Sequence, residues 1–553
     1  MDADARRTDA PAFLLNLETE GKRLVSSFAP DAVSFEDGFD EGAVTDSAYA
    51  DGVLLFRKGR SLYACKNGVF SLVGEKGMLR ETSGAIYDYD RCFYLMDGES
   101  IYRIDRALTV SLTEPAVPLC FKGMSRSGAY YTEIAPRNPF CRYVDVMLSD
   151  ETDNEQKFPL GWAVDPTYAR AWHPDGREVY SGYMVMREDR IIFDGDDAAG
   201  CRLRLRLLDS EDETLYSFSD TAEYRAFLNH PEKVIPISLS GGNTLLLTCK
   251  GTEIVGVLLT EDGFSFLTEE NFFRYDCLET IMGMASFDEG YLLFFENAVK
   301  KLFVTEKGGE IIFSVLPFKN DFGSDMKGSI CSFDDKIVFA STKGGVSCID
   351  RFGISEKMES RRISGNIEKS FFSHTASEYR DAVGFCAFGK YLLTVGDKTY
   401  IWDHRAKLPT GVQSRADEEK MVWSVSDLLK AERYLAFLSG RLYYAERDTG
   451  RLCYIENESG TVPFCLRTSA LDFDSTDRKT LVSFGIRYRS TGAITLSLSL
   501  DGKPYMGDYE APAAEDFETR TFRVYGKRFG TLSLSAVGVG KAEIDALIFQ
   551  YFS

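Results

Sequence analysis

Short apolar runs separated by turn residues dominate the hydrophobic pattern of the chain. The run GVLLFR at 52–57 is followed by SLYAC at 61–65 and, after an Asn67-Gly68 turn, by a third run at 69–73. Asn-Gly between two such runs predicts a β-hairpin, because both central residues of a type I′ turn need positive φ. The pattern therefore predicts antiparallel sheets built from strands of about five residues.

Similar groups of apolar runs recur along most of the chain. Their spacing of about 35–55 residues is typical of four-stranded propeller blades, each of which needs a neighbour on both sides to bury its faces. We therefore predict an all-β chain with a β-propeller of about five to seven blades. The runs that indicate these blades lie at 85–97, 100–105, 243–249, 253–260, 290–295, 336–341, 391–395 and 434–446.

Two parts of the chain break the repeat. The run RLRLRLL at 202–208 alternates strictly between an apolar and a basic face, and DTAEYRAFLN at 220–229 predicts a helix with Asp220 as its cap and Glu223 at the capping-box position. Alternating runs return between 479 and 552, which predicts a jelly-roll-like sandwich. The predicted order is an N-terminal arm (1–44), the first propeller blades (45–134), an inserted β-sandwich (135–232), the remaining blades (233–460) and a C-terminal β-sandwich (461–553).

The charge balance bears on nucleic-acid binding. The chain carries 64 Lys and Arg against 85 Asp and Glu, a formal net charge of -21. Such a chain repels phosphate, so we do not expect it to grip DNA by counterion release. Acidity suits a surface that DNA slides past, and it equally suits solubility alone.

The twelve cysteines do not form a metal-binding or redox pattern. No Cys-x-x-Cys occurs, and most of the cysteines lie within apolar strand runs. We expect them to be small core residues of a protein made in a reducing compartment. The polar N-terminus predicts no signal peptide, and the lack of any run of eighteen apolar residues predicts no membrane span.

Catalytic chemistry is not visible in the sequence. His173, His230, His374 and His404 are scattered, and no nucleophile elbow, phosphate-binding loop or sialidase-type Asp box occurs. The acidic run 194–197 suggests calcium, but it lacks the spacing and the closing Glu of an EF-hand. We therefore predict a protein that is not an enzyme and assign no catalytic, cofactor-binding or metal-binding residue and no cofactor.

Two stretches carry a family likeness. The first contains IMGMASFDEGYLLFFENAVKKLFV at 281–304 and continues through Ile363-Ser364 to Ile401-Trp402-Asp403. The second covers 464–552 and closes on a G-x-G-x-A-x-I strand at 538–544. With the inserted segment 179–208, they resemble phage neck and tail-nozzle proteins of the tail tubular protein B type.

The resemblance implies structural work in a virion assembled in the host cytoplasm. Such nozzle proteins form rings, usually of six copies, below the portal and adaptor, and DNA passes through them without specific binding. Their sandwiches contact neighbouring subunits and other tail proteins. Two alternatives stay open: a β-propeller module that binds a glycan or a cell-surface receptor, and a glycan hydrolase whose paired carboxylates the sequence does not reveal.

Overall fold

The protein is described by a computed structural model in which strands dominate. Strands hold 58% of the chain and helices 6%, which confirms the all-β prediction. No helix in the described part of the chain is long and apolar enough to cross a membrane. The structure describes residues 11–20, 23–80, 84–122, 133–149, 155–157, 162–187, 190–194, 198–212, 214–231, 233–239, 242–287, 290–318, 322–333, 336–351, 358–365, 367–405, 423–473 and 475–552.

The first four strands do not form a sheet of their own. Each pairs with a strand from the C-terminal part of the chain or with a neighbour that does. The described part of the predicted N-terminal arm is therefore built into other modules. These strands are β1 (Pro11–Leu15), β2 (Leu17–Glu20), β3 (Arg23–Ser26) and β4 (Asp31–Ala32).

Two antiparallel four-stranded sheets follow, each with its strands in sequence order. The Asn67-Gly68 turn has φ of 53° and 80°, as the predicted type I′ hairpin requires. Sheet 1 holds β5 (Val44–Ala50), β6 (Val53–Lys58), β7 (Ser61–Lys66) and β8 (Val69–Val73). Sheet 2 holds β9 (Ala85–Tyr89), β10 (Cys92–Asp97), β11 (Ser100–Ile104) and β12 (Val110–Leu112).

An inserted module of two sheets separates sheet 2 from sheet 3. The apolar side chains of both sheets share one buried cluster, and β20 alternates as predicted, with Leu203, Leu205 and Leu207 inside. Its strands are β13 (Leu119–Lys122), β14 (Glu133–Ile134), β15 (Tyr143–Leu148), β16 (Glu155–Lys157), β17 (Val164–Trp172), β18 (Met184–Met186), β19 (Arg190–Phe193) and β20 (Arg202–Leu207). The sheet orders are β14-β13-β15-β20-β17 and β16-β19-β18.

The predicted helix is present as α1 (Ala222–Asn229), but the predicted cap is wrong. A short 3-10 turn at Ser219–Thr221 precedes the helix, and Thr221 occupies the N-cap position without a side-chain cap. The carboxylate of Asp220 instead accepts hydrogen bonds from the backbone N–H and the hydroxyl of Ser217, and it pairs with Arg137. An Asp side chain readily bonds the backbone of a preceding turn, which here wins over the cap.

Five further four-stranded units follow. Sheets 3 to 7 each run in sequence order, except that β4 from the N-terminus supplies the last strand of sheet 7. Helices α2 (Glu368–Phe371) and α3 (Ala376–Arg380) lie between sheets 5 and 6. The strands are β21 (Val234–Ser238), β22 (Thr244–Lys250), β23 (Glu253–Leu259) and β24 (Phe272–Asp276) in sheet 3; β25 (Ile281–Phe287), β26 (Gly290–Phe295), β27 (Val299–Lys307) and β28 (Glu310–Pro317) in sheet 4; β29 (Cys331–Phe333), β30 (Lys336–Ser341), β31 (Gly345–Arg351) and β32 (Met358–Arg362) in sheet 5; β33 (Val383–Ala387), β34 (Lys390–Val395), β35 (Lys398–Asp403) and β36 (Trp423–Ser426) in sheet 6; and β37 (Ala431–Leu438), β38 (Arg441–Glu446) and β39 (Leu452–Glu456) in sheet 7.

The C-terminal module packs two sheets on a single apolar cluster. One sheet continues sheet 6 in the order β36-β1-β40-β46-β42-β43, with β44 also pairing with β42, and the other runs β2-β3-β47-β41-β45. The new strands are β40 (Val462–Thr468), β41 (Lys479–Ser490), β42 (Ile494–Leu500), β43 (Lys503–Pro504), β44 (Tyr509–Ala511), β45 (Ala514–Phe529), β46 (Leu532–Gly540) and β47 (Ala542–Phe552).

Apolar clusters join each four-stranded sheet to the next. On β6, Val53 and Leu55 pack against Phe93 of sheet 2, whereas Leu54 and Phe56 lie in the cluster shared with sheet 7. A strand that is buried on both faces has a continuous apolar run in its sequence. Burying each such side chain stabilises the fold by about 1.5–3 kcal/mol. Six clusters link sheets 1 to 7 in order, and a seventh links sheet 7 to sheet 1.

Candidate functional site

Three of the four histidines have named partners in the fold. His173 is 3.6 Å from the Sγ atom of Cys201, and His404 is 3.1 Å from the carbonyl oxygen of Gly389. His374 contacts the Tyr400 hydroxyl at 2.9 Å. The contact of His173 lies in the inserted module, whereas those of His374 and His404 both involve sheet 6.

Metal ligands do not converge in the described part of the chain. It contains no group of three or more His, Cys, Asp and Glu side chains arranged to hold a metal ion. Of the acidic run 194–197, residues 195–197 lie outside the described residues. All twelve cysteines fall in described segments, and most are buried, which fits the prediction of small core residues.

Sheet 6 and the C-terminal module share one sheet, and we call their contact the junction. Strand β1 lies between β36 and β40, parallel to the first through Leu15 and Val425 and antiparallel to the second. One ten-stranded sheet therefore runs from sheet 6 into the C-terminal module. Backbone hydrogen bonds tie the modules together along this sheet, which fixes their relative orientation.

Asn16 holds the centre of the junction. It is fully buried and has a φ of 50°, a left-handed conformation that Asn tolerates better than most residues. Its backbone N–H donates to the carbonyl oxygen of Val425 at 2.8 Å. Its side-chain amide donates to the Asp427 carboxylate and to the carbonyl oxygen of Pro463, both at 2.8 Å. One side chain thus bonds the end of sheet 6 and the start of β40.

A buried ion pair lies beside Asn16. The carboxylate of Glu18 accepts a hydrogen bond from the Lys390 ammonium and another from the Ser27 hydroxyl. Only 4% of the Glu18 side chain and 10% of the Lys390 side chain are exposed. A charge buried to this degree depends on its partner, so the pair favours one arrangement of the two modules.

The outward face of the inserted module carries an arginine face, defined by Arg170, Arg202, Arg204, Arg206 and Trp172. Three of the guanidinium groups lie 4.8–5.4 Å from the centre of the Trp172 rings, within the range of cation–π attraction. The four arginines lie on the polar sides of β17 and β20. This is a local concentration of basic groups on an acidic chain.

Three carboxylates partner the arginine face. Asp145 binds Arg204 at 2.7 Å and Glu178 binds Arg170 at 2.7 Å. Asp165 lies 3.6 Å from Arg206. The hydroxyl and backbone N–H of Thr167, together with Arg206, hold the pKa of Asp165 below its usual value. The face is therefore ordered by ion pairs and keeps one more cation than anion.

A similar arrangement covers the second sheet of the C-terminal module. Arg23, Arg487 and Arg489 lie 4.5–5.9 Å from the centre of the Phe517 ring. Glu543 and Asp545 pair with these arginines. Both added modules thus present an aromatic ring framed by arginines on an outer sheet face.

The sequence did not indicate the junction residues. Glu18 and Lys390 are polar residues of short strands, Asn16 lies between β1 and β2, and the partners of all three are far away along the chain. The basic alternation on β20 was visible, but the grouping of Arg170 with it around Trp172 was not. Only the pairing of β17 with β20 brings those side chains together.

Comparison with known proteins gives no family for this chain. No protein-family model and no curated protein matches it. The crystal structure of the computationally designed Ika8 protein aligns with 76% of this chain and 97% of its own, at 9% identity and a TM-score of 0.30. A family 6 carbohydrate-binding module aligns over 22% of this chain and 92% of its own, at 15% identity and a TM-score of 0.14. Likenesses at these scores decide neither fold nor function.

Proposed function

We propose that the chain is a phage virion structural protein, a ring-forming neck or tail-nozzle component that joins the portal or adaptor to the tail. DNA passes through the channel of its ring, which we expect to contain six copies. Within each copy, sheets 1 to 7 are the blades of one β-propeller, and the inserted and C-terminal modules are β-sandwiches.

The cluster order supports the propeller. Each of the seven sheets shares an apolar cluster with the sheet before it and the sheet after it, and sheet 7 shares one with sheet 1. Strand β4 pairs with β39, so the two ends of the repeat meet within sheet 7. In a propeller the blades repeat around one axis. A strand from one terminus that completes the last blade leaves few sheet edges exposed.

The continuous sheet across the junction is the observation that carries the proposal. A protein that acts as a scaffold must hold its contact surfaces in fixed relative positions, and the ten-stranded sheet with Asn16 and the Glu18–Lys390 pair supports this. In such a scaffold the sandwiches contact neighbouring subunits and other tail proteins. The net charge of -21 favours a channel that DNA passes without sticking.

Electron microscopy and mass photometry of the purified protein test ring formation. We expect closed rings of about six copies, the closed symmetric form that heterologous subunit contacts generate. Arg202→Glu reverses a charge on the arginine face and should weaken the ring. Lys343→Glu, at a side chain that is 59% exposed in sheet 5, is the matched control and should leave it intact. Monomers at every concentration would contradict the proposal.

DNA binding gives a second test. The ring should hold double-stranded DNA weakly even at low salt, because an acidic surface releases few counterions. Tight retention of DNA at low salt would count against a sliding channel. A monomeric protein that binds specific sugars on a glycan array would instead favour the receptor-binding alternative.

A further inference from the structure

A cavity of about 1090 Å³ lies where sheets 1, 5, 6 and 7 meet. The end of β6, the starts of β33 and β37, and the turn between β38 and β39 form its walls. It lies apart from the junction and from the arginine face. Its volume is slightly above the range of about 300–1,000 Å³ that is usual for small-molecule sites.

Lys58 is a buried cation in this cavity. Only 7% of the residue is exposed, and its ammonium donates to the carbonyl oxygens of Gly42 and Gly450. No carboxylate of the described residues lies within 4 Å of it. Burial lowers the pKa of Lys58, while Glu432 and Asp40 act in the opposite direction. An ammonium has three donors, and the described residues accept two of them.

Arg447 supplies a second cation from the turn that contains Gly450. Its Nη2 atom donates to the carbonyl oxygen of Asp381 at 3.0 Å. Its Nε atom is buried and has no acceptor among the described residues. Lys58 is bonded to Gly450 of the same turn, so both cations meet one side of the cavity.

We propose that this cavity binds a small hydroxylated ligand through its single anionic group, a carboxylate or a phosphate, held by Lys58 and Arg447. An oxoanion offers several acceptor lone pairs, and charge-assisted hydrogen bonds to it are the strong ones. Such a group supplies an acceptor for the third N–H of the Lys58 ammonium and a negative charge beside the Arg447 guanidinium on the same side of the cavity.

The acidic residues of the cavity restrict the rest of the ligand. Glu41, Asp381, Glu432 and Asp448 also line it. Carboxylates repel a second negative charge and accept hydrogen bonds from hydroxyl groups. The cavity therefore fits a monosaccharide with one acidic group, the chemistry of a uronic acid or a sugar phosphate. This inference is independent of ring formation.

Calorimetric titration of the full-length protein with glucuronate, glucose 6-phosphate and glucose tests the inference. We expect saturable binding of at least one of the two acids and none of neutral glucose. The acid that binds more tightly identifies the anionic group of the ligand as a carboxylate or a phosphate. Lys58→Met and Arg447→Met should each weaken the binding by about tenfold or more. Lys250→Met is the matched control, because Lys250 ends the second strand of sheet 3 as Lys58 ends that of sheet 1.

Hydrogen exchange of the wild-type protein locates the ligand without any variant. The bound acid should slow exchange in peptides 42–58 and 447–452. The inference is overturned if neither acid binds at concentrations up to about 10 mM, above the ~1 mM range of weak ligands. It is also overturned if the protected peptides lie elsewhere, or if a folded Lys58→Met protein binds as tightly as wild type. Binding is measured on whatever oligomer forms, so these outcomes do not bear on the ring.

Discussion

Lys390 and Glu18 lie 372 residues apart in the chain, and their side chains form an ion pair that is almost fully buried. The pair connects β34 of sheet 6 to the N-terminal strand β2, which belongs to the C-terminal module. The Ser27 hydroxyl satisfies the second carboxylate oxygen of Glu18. Removing one partner would leave the other charge buried without compensation.

Lys390→Met should therefore destabilise the protein by about 3–5 kcal/mol, the usual cost of an uncompensated buried charge. The midpoint of urea unfolding measures the change. The exposed pair of Lys343 with Glu296 offers a control, and Lys343→Met should change stability by less than about 1 kcal/mol. Replacing both partners, in a Glu18→Leu and Lys390→Met protein, should recover most of the loss. A Lys390→Met protein as stable as wild type would contradict the role given to the pair.

Ala32→Cys tests whether β4 completes sheet 7 in solution. Ala32 is the direct partner of Cys453 in the antiparallel pair of β4 and β39. Paired residues have Cα atoms about 4.5–5.5 Å apart, which lies within the range that a disulfide spans. Mild oxidation should therefore join the introduced thiol to Cys453, as peptide mapping under non-reducing conditions would detect.

The neighbouring position supplies the control for this crosslink. Asp31 pairs with Tyr454, so Asp31→Cys has no cysteine opposite it and should crosslink far less. The Ala32→Cys crosslink should also raise the midpoint of thermal unfolding, since it closes a very long loop of the unfolded chain. Equal crosslinking of the two variants would mean that β4 is not held in this register.

Gly328→Ala should destabilise the contact between sheets 5 and 6. A Cβ atom at Gly328 would lie 2.3 Å from the carbonyl oxygen of Ala382, where the backbones of the two sheets approach. The backbone must move to relieve this overlap, at a cost of about 1–3 kcal/mol. Gly365→Ala is the control, because nothing lies within 4 Å of a Cβ atom there. Thermal unfolding should separate the two variants.

The capping box of α3 should make stability depend on pH. The backbone N–H and the hydroxyl of Thr375, with a smaller effect of His374, lower the pKa of Glu378 to about 2. A lowered pKa stabilises the fold above the unfolded value of about 4.3, and this contribution disappears as the pH falls toward 2. Glu378→Gln keeps an acceptor for Thr375 but loses the charge, so it should be less stable than wild type at pH 6 by about 0.3–1 kcal/mol. The difference should shrink between pH 4.3 and 2, as unfolding midpoints at several pH values would measure.

Local patterns predicted the strands well, because their signals lie within a few residues. The run 69–73 is β8, with the predicted bounds. Asp501-Gly502 turns a hairpin with φ of 51° and 75°, as its sequence requires. These elements depend on turn chemistry and on apolar alternation, both of which the sequence displays directly.

Pairing between distant segments was not predictable in the same way. The residues PAFLL of β1 carry no sign that their partners are β36 and β40. Lys58 lies just outside the apolar run GVLLFR, but it ends β6, and its ammonium donates to carbonyl oxygens on two other segments. Such contacts arise from the arrangement of whole sheets, and a window of neighbouring residues does not contain that information.

Strands β1 to β4 belong to modules that the C-terminal part of the chain completes. This affects how the protein folds during synthesis on the ribosome. These strands emerge before β5 to β47, and β39, β40 and β47 are translated more than 400 residues later. At translation rates of about 5–20 residues per second, the nascent N-terminus waits roughly 20–100 s for its partners. During that interval the apolar strand PAFLL has no native neighbour, so a chaperone that shields nascent chains should raise the yield of folded protein.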